Sequence, residues 1–311
     1  MQGRQRRRQS ELHHEWDTGL HGILREFGNR RYAGVQHSEV STPEPGGEQA
    51  VNPSGIPEWG IVPSRKSAFT RLDYFEFGSH IVSTQIVILA AGMGSRLGRS
   101  LPKPLTELSD GRTIMQQQFD NIRFAFGTAA RVSIVVGYKL EHIVEAFPQA
   151  SFVYNEQYDQ TNTSKSLLRA LRASGNGGVL WMNGDVVFDP EALARAAKLV
   201  ARDQSFVSVN TARVSDEEVK YTTDAEGYIR ELSKIVKGGL GEAVGINYVS
   251  AADKSALVRH LARVDDQDYF ERGIELAILQ DKLRFEPVDI SDLYAVEIDF
   301  AEDLERANLF V

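Results

Sequence analysis

Apolar and polar positions follow two different regimes along the chain, and the change falls near residue 80. From Thr84 onward, short apolar runs alternate with amphipathic stretches. Residues 85–90, 131–137, 151–154, 178–182 and 206–209 are almost wholly apolar, and the first of these runs leads into glycines. Such runs suit parallel strands buried on both faces. Between them, residues 113–126, 140–147, 163–173 and 190–201 carry helical periodicity. Asp189 followed by Pro190 is a helix start, with the carboxylate capping and proline in the first turn. Further on, residues 228–232 and 243–249 predict strands of an inserted, partly antiparallel lobe spanning about 211–250. Helices over 252–263 and 268–280 follow, then a strand over 295–299 and a helix over 301–309. Strands alternating with helices predict an α/β protein with a Rossmann-like, doubly wound mixed sheet. Its ligands belong at the carboxyl ends of the strands. No internal repeat is visible.

Residues 1–80 show no comparable pattern. Pro43, Pro45, Pro53, Pro57 and Pro63 crowd into a stretch rich in Gly, Ser, Glu and Asn. That composition predicts a disordered N-terminal extension ahead of a folded region over 81–311. A docking arm, or a metal site at His13 and His14, is the alternative. Arg4, Arg6, Arg7 and Arg8 are not followed by an apolar run, so a secretory signal is not expected.

Composition narrows the classes. The 311 residues are 42% hydrophobic and 25% charged, with a net charge of −8. An acidic chain argues against general nucleic-acid binding. The absence of cysteine excludes disulfides, thiolate metal sites and a cysteine nucleophile. No run approaches the ~18 apolar residues of a membrane span. The expectation is a soluble, cytoplasmic protein with no membrane partner.

Three motifs carry chemistry. The first runs from Leu89, Ala90, Ala91 and Gly92 through Met93, Gly94, Ser95 and Arg96 to Gly98, with Lys103 and Pro104 beyond. Glycines let backbone N–H groups approach an anion, and two nearby cations would hold a polyphosphate. The spacing is neither the dinucleotide fingerprint nor the Gly-Lys-Ser/Thr phosphate loop. In the second, Asp185 ends the apolar run that includes Trp181. A phosphate-bound Mg²⁺ needs a hard oxygen ligand at that place; a strand-end turn is the simpler alternative. In the third, Glu297 and Asp299 are two residues apart and face one side of a strand. Either they flank a cation, or they lie on an exposed edge with Asp299 capping the next helix.

Taken in order, these motifs resemble the nucleotidyltransferases that activate sugar phosphates and small phosphorylated alcohols. The resemblance covers roughly residues 85–308. Tyr154, Asn155 and Tyr158 followed by Asn162, Thr163 and Ser164 look most like the branch of phosphocholine, inositol-phosphate and phosphonate cytidylyltransferases. Molybdenum-cofactor guanylyltransferases are less similar, because their loop usually has Ala-Gly-Gly where Ala90, Ala91 and Gly92 stand. The resemblance implies a nucleotidyltransferase fold with a small acceptor-binding lobe, and CTP and a small phosphate or phosphonate as substrates. Leu89, Ala90, Ala91, Gly92, Gly94 and Ser95 would approach the nucleotide. Arg96 and Lys103 would neutralise the triphosphate and the leaving pyrophosphate. Asp185 and Asp299 would hold Mg²⁺, with Glu297 beside them. Asn155, Asn162 and Ser164 would contact nucleotide or acceptor. A sugar-1-phosphate nucleotidyltransferase using UTP, GTP or dTTP is the alternative, and a catalytically silent nucleotide-binding module is a second. An acceptor phosphate is already an anion and needs no general base, so no His or Ser triad is required.

The acceptor side is less defined. Lys234, Lys237 and Glu242 fall where this family builds its acceptor lobe. Lys234 would bind the acceptor phosphate and Glu242 its hydroxyls or amine, or both would be solvated hairpin residues. Glu271 and Glu275 open a helix, where acidic residues ordinarily act as caps. Trp181, Tyr248, Tyr269 and Phe270 are candidate faces for a quaternary ammonium, or core.

Overall fold

The computed structural model describes residues 83–311 except 99, 213 and 216. The expected extension over 1–80 and the His13–His14 pair lie outside the described residues.

Strand β1 (Gln85–Ala90) shows why the fold is doubly wound. Ile86, Ile88 and Ala90 pack on one face with Met115, Ile122, Ile143 and Leu193. Val87 and Leu89 pack on the other with Leu167, Leu171, Leu257, Phe270 and Ile274. A strand whose alternate side chains are both buried must be covered by helices on both sides. The first face is covered by α1 (Ile114–Phe126) and α2 (Leu140–Ala146), the second by α3 (Thr163–Ala173). α4 (Pro190–Val200) joins the first layer; α5 (Lys254–Leu261) and α6 (Phe270–Asp281) join the second.

The remaining strands are β2 (Arg131–Val136), β3 (Ser151–Tyr154), β4 (Val179–Asn183), β5 (Val186–Phe188), β6 (Phe206–Asn210), β7 (Lys220–Thr223), β8 (Ile229–Ser233), β9 (Gly241–Val249), β10 (Glu286–Asp289) and β11 (Ala295–Glu297). The main sheet runs β10-β6-β9-β4-β1-β2-β3. Its neighbours are parallel except at β9, which is antiparallel to both β4 and β6. The fold is therefore mixed α/β, as expected.

The stretch over 243–249 departs from its expected place in an inserted lobe. β9 crosses the middle of the main sheet, and only Gly241 and Glu242 at its start pair with β7. Its burial explains the placement: Ile246, Asn247, Tyr248 and Val249 are all buried, which a peripheral lobe would not provide. The lobe is reduced to the β7–β8 hairpin leaning on that start. β5, β7 and β10 are three- or four-residue strands with no counterpart among the expected elements. β5 pairs antiparallel with β11, which brings the C-terminal strand and α7 (Ala301–Ala307) beside the end of β4. Asp185 and Asp299 meet because of this small pairing.

Candidate active site

The loop after β1, the end of β4 and the turn after β11 converge on one ammonium group. Lys103 lies in a single 3₁₀ turn (Lys103–Leu105) introduced by Pro102, and it is 8% exposed. Its Nζ donates to Asp185 Oδ2 at 2.8 Å and to Asp299 Oδ1 at 2.6 Å. Arg96, largely exposed, donates to the other oxygen of Asp299 at 3.1 Å. Burial alone would lower the Lys103 pKa, but the charge of Asp185 and hydrogen bonds to both carboxylates raise it, so the group is a cation. Burial pushes Asp299 up; hydrogen bonding and charge from Lys103, then Arg96, outweigh that and hold it below its ordinary value.

Two glycines make this approach possible. Gly94 has φ +56°, and a Cβ there would lie 2.8 Å from Lys103 Cβ. Gly184 donates its N–H to Leu89 O at 2.9 Å, and a Cβ there would meet that same oxygen at 2.8 Å. β1 and β4 are thereby locked together just before Asp185. Gly92 differs, because nothing lies within 4 Å of its missing Cβ. It opens onto a cleft of about 220 Å³ lined by Leu89, Ala90, Gly94, Arg96, Lys103, Pro104, Asp185 and Asp299. A larger cleft of about 1,050 Å³ adjoins it through Arg96 and Asp299, and Glu217, Glu218, Glu242 and Glu297 are among its walls.

Asp185, Glu297 and Asp299 each offer a carboxylate oxygen within 4.8 Å of the others. The Glu297 carboxyl sits among so many oxygens that its pKa is pushed well above the ordinary range. The Asp185 charge is the main cause, with Glu218 and Asp299 adding to it; Lys103 opposes them in part. An all-oxygen set of three carboxylates fits a hard divalent cation such as Mg²⁺. Lys103 leaves at least one oxygen of Asp185 and all of Glu297 without a cationic partner. The set therefore fits the metal expected from the sequence.

Other expected residues sit elsewhere. Asn155 is fully buried and internally satisfied: Nδ2 donates to Thr161 Oγ1 and Ser166 Oγ, and Oδ1 accepts from Gln157 N. Asn162 caps α3, accepting from Thr163 N at 2.8 Å, and its Nδ2 donates to Gln267 O. Both side chains shape the β3–α3 connection and are absent from the cleft walls. Ala91 is buried, and its carbonyl accepts from Tyr138 N at 3.1 Å. Ser95 opens a 3₁₀ turn, Ser95–Leu97. Glu242 lines the larger cleft and accepts from Ser215 N. Lys234 lies 4.7 Å over the ring of Tyr269. Asp299 does not cap α7; Asp303 does so, accepting from the backbone N–H groups of Asp299 and Phe300. Glu218, which adjoins Glu242, Asp299 and Glu297 electrostatically, was missed because nothing in its local sequence marks it.

A glycine loop after the first strand, a buried lysine and carboxylates at two strand ends define a nucleotide-handling α/β transferase. The chain belongs to the MobA-like NTP transferase domain family, whose match covers residues 86–266. It is a nucleotidyltransferase. Among its relatives is the 2-aminoethylphosphonate cytidylyltransferase of Lancefieldella rimae, 28% identical over 64% of this chain and 78% of that protein. The CMP-5'-(3-aminopropyl)phosphonate synthase of Streptomyces rubellomurinus is 27% identical over 73% of this chain, which spans only 38% of that longer protein. Among solved structures, the CTP:phosphocholine cytidylyltransferase of Streptococcus pneumoniae shares the fold with a TM-score of 0.60 and 17% identity, covering 73% of this chain and 99% of its own. Among the described residues, no helix is long and apolar enough to cross a membrane.

Proposed function

We propose that the protein is a cytidylyltransferase that transfers CMP from CTP to a small phosphonate or phosphorylated alcohol, releasing pyrophosphate. The observation that carries this reading is the Lys103 ammonium between Asp185 and Asp299, at the mouth of a glycine-lined cleft. The cytidylyltransferase relatives support the choice of base.

An anionic oxygen of the acceptor attacks the α-phosphorus of CTP. A new O–P bond forms, the bond to the bridging oxygen of the β-phosphate breaks, and pyrophosphate leaves with the electron pair. The acceptor oxygen is already deprotonated, so alignment and charge neutralisation supply the catalysis. Leu89, Ala90, Gly92 and Gly94 border the cleft where the nucleotide would lie. Lys103, held rigidly by Gly94 and two carboxylates, presents a fixed positive charge to the phosphates. Arg96 is exposed and free to turn from Asp299 toward the pyrophosphate. Asp185 and Asp299, with Glu297, would hold a divalent cation. When bound, that cation would supply charge neutralisation on the phosphates. We place the chemistry wholly within residues 81–311, and the site of action in the cytoplasm, where CTP is made.

The test is pyrophosphate release with Mg²⁺, each nucleoside triphosphate, and a panel of phosphonates, phosphoalcohols and sugar 1-phosphates. Turnover with CTP and a phosphonate or phosphoalcohol is expected, also in a chain lacking residues 1–75. Turnover with UTP or dTTP but not CTP would overturn the assignment.

A further inference from the structure

The turn that carries Asp185 is held from inside the protein by one side chain. Gln118 on α1 is fully buried, and its Nε2 donates to Asn183 O at 2.8 Å and to Val186 O at 2.9 Å. Those two carbonyls flank Gly184 and Asp185, so both N–H groups of one amide bracket the turn between β4 and β5. Two carbonyl acceptors also fix which end of the amide is nitrogen. Gln118 Oε1 has no partner, so among the described residues this amide bonds to the turn alone. Two backbone bonds complete the frame. Gly184 N–H donates to Leu89 O at 2.9 Å, and Ile298 N–H donates to Asp185 O at 3.0 Å. Residues 183 to 186 are thus pinned in succession, with Gln118 holding both ends.

The neighbouring amides of α1 provide an internal comparison. Gln117 Nε2 and Asn121 Nδ2 both donate to Phe188 O, at 2.6 and 2.8 Å, and both residues are buried. That carbonyl lies three residues past Asp185 and has two donors. Asp185 O and Asp189 N bond to the β11 side, at Ile298 N and Tyr294 O, so alternation turns the carbonyls of Val186 and Phe188 toward α1. Buried carbonyls on that edge need donors, and the three amides supply them. An apolar residue at 118 would orphan two carbonyls at the turn itself. Gly184 and Asp185 border the small cleft, so a freed turn has water beside it. It would shift to reach that water, taking Asp185 along. A reacting group misplaced by about 1 Å can lose about a hundredfold in rate.

Resting on the reading of Asp185 as a carboxylate of the reaction site, we propose that Gln118 is a positioning residue. It sets where Asp185 stands relative to Lys103, Glu297 and Asp299, and thereby shapes the divalent-cation site. It acts wholly through the turn.

The experiment compares the wild type with two variants. Gln118→Met keeps the shape and removes both donors; Asn121→Leu leaves Gln117 on Phe188 O. Protein-bound Mn²⁺ is counted by electron paramagnetic resonance, with and without each nucleoside triphosphate, after subtracting the ion that nucleotide binds alone. Pyrophosphate release from CTP and thermal denaturation are recorded beside it. Both variants are expected to melt about 2–4 °C lower, since each loses buried hydrogen bonding. Gln118→Met alone is expected to weaken Mn²⁺ binding and lower kcat, each by about 10- to 100-fold, the usual loss when a group orienting a metal ligand is removed. Asn121→Leu stays close to the wild type in both. Gln118→Asn, one methylene too short to span both carbonyls, should fall between them, and serves if Gln118→Met does not fold. Wild-type Mn²⁺ affinity in a folded Gln118 variant, or an equal loss in Asn121→Leu, would overturn the proposal. So would a wild type that binds no Mn²⁺ beyond what nucleotide alone holds. Absence of turnover with CTP would instead overturn the proposed reaction. The Mn²⁺ comparison needs neither an acceptor nor a particular base, and it still decides Gln118.

Discussion

The carboxylates around Lys103 and the carboxylate of Glu271 are both crowded by negative charge, yet the chain treats them in opposite ways. At the first place it supplies its own cation. Lys103 touches both Asp185 and Asp299, and Asp299 is held below its ordinary pKa in spite of its burial. At the second place no cation among the described residues makes contact, and Lys234 sits over the Tyr269 ring. Burial pushes Glu271 up to about 7, Glu218 adds to this, and its own backbone N–H and Lys234 offset only part of it. A preformed ion pair suits a site that must present fixed charge to every turnover. Asp185 and Asp299 are therefore fixed by the fold, whereas Glu271 is a buried carboxyl kept at a cost in stability.

The largest way to break this comparison is to remove the built-in cation. Lys103→Ala is expected to lower turnover by about a hundred- to a thousandfold, the usual loss for one preorganised charge donor. Asp185 and Asp299 then face each other and Glu297 with only Arg96 left on Asp299, so the unfolding midpoint falls as well. Steady-state pyrophosphate release and thermal denaturation check both effects. Lys103→Arg is not expected to rescue activity, because a planar guanidinium fork does not reproduce one ammonium held between Asp185 and Asp299. Near-wild-type turnover in Lys103→Ala would show that the reaction centre lies elsewhere.

The next effect is on stability and has the opposite sign. A carboxyl whose folded pKa is raised from 4.5 to about 7 binds more protons in the native than in the unfolded state across that interval. Stability is therefore highest below pH 4.5 from this group, and it is lost as pH rises through 7. Glu271→Gln removes this dependence. The variant should gain on the wild type between pH 5 and 8, by up to about 3 kcal/mol, following the free-energy value of a pKa unit. Urea denaturation at the two pH values measures it. A variant no more stable at pH 8 than at pH 5, relative to the wild type, would mean that Glu271 already has a partner.

The same contrast explains what the sequence could show. The loop from Leu89 to Lys103 and the strand-end Asp185 were legible because their signals are local: an apolar run, glycines, then charge. The expected strand over 295–299 stops at Glu297, so Asp299 lies in the turn beyond it rather than on the same strand face, although both carboxylates still come near Asp185. The insertion of β9 between β4 and β6 was not legible, because strand order depends on pairings between residues about seventy apart, such as Trp181 with Asn247. β5 is three residues long and has no period of its own, yet its pairing with β11 carries Asp299 to Lys103. Glu271 has the sequence signature of a helix cap. Only its burial in the folded chain sets it apart from an ordinary cap.

The glycines of the first loop sharpen the comparison at smaller scale. Gly94→Ala places a side chain at φ +56°, 2.8 Å from Lys103 Cβ. It should cost about 1–2 kcal/mol for the left-handed backbone alone. Turnover should fall with it, because Lys103 must shift. Gly92→Ala meets nothing within 4 Å, so stability should be unchanged. If the nucleotide backs onto Gly92, KM for CTP rises while the melting curve stays in place. Equal destabilisation by both substitutions would contradict the steric distinction between them.

The smallest expected effect separates a structural asparagine from a substrate-binding one. Asn162 accepts from Thr163 N and donates to Gln267 O, which accounts for both ends of its amide. Asn162→Ala removes the cap of α3 and should cost about 1 kcal/mol. That corresponds to a shift of about 2–4 °C in a protein of this size. Asn162→Asp, an equally good cap, should restore most of the loss. Neither change should alter KM for CTP. If instead Asn162→Ala left the midpoint alone and raised KM for CTP tenfold, the asparagine would be a nucleotide contact, as the family resemblance implies. The β3–α3 connection would then have to open toward the cleft during turnover.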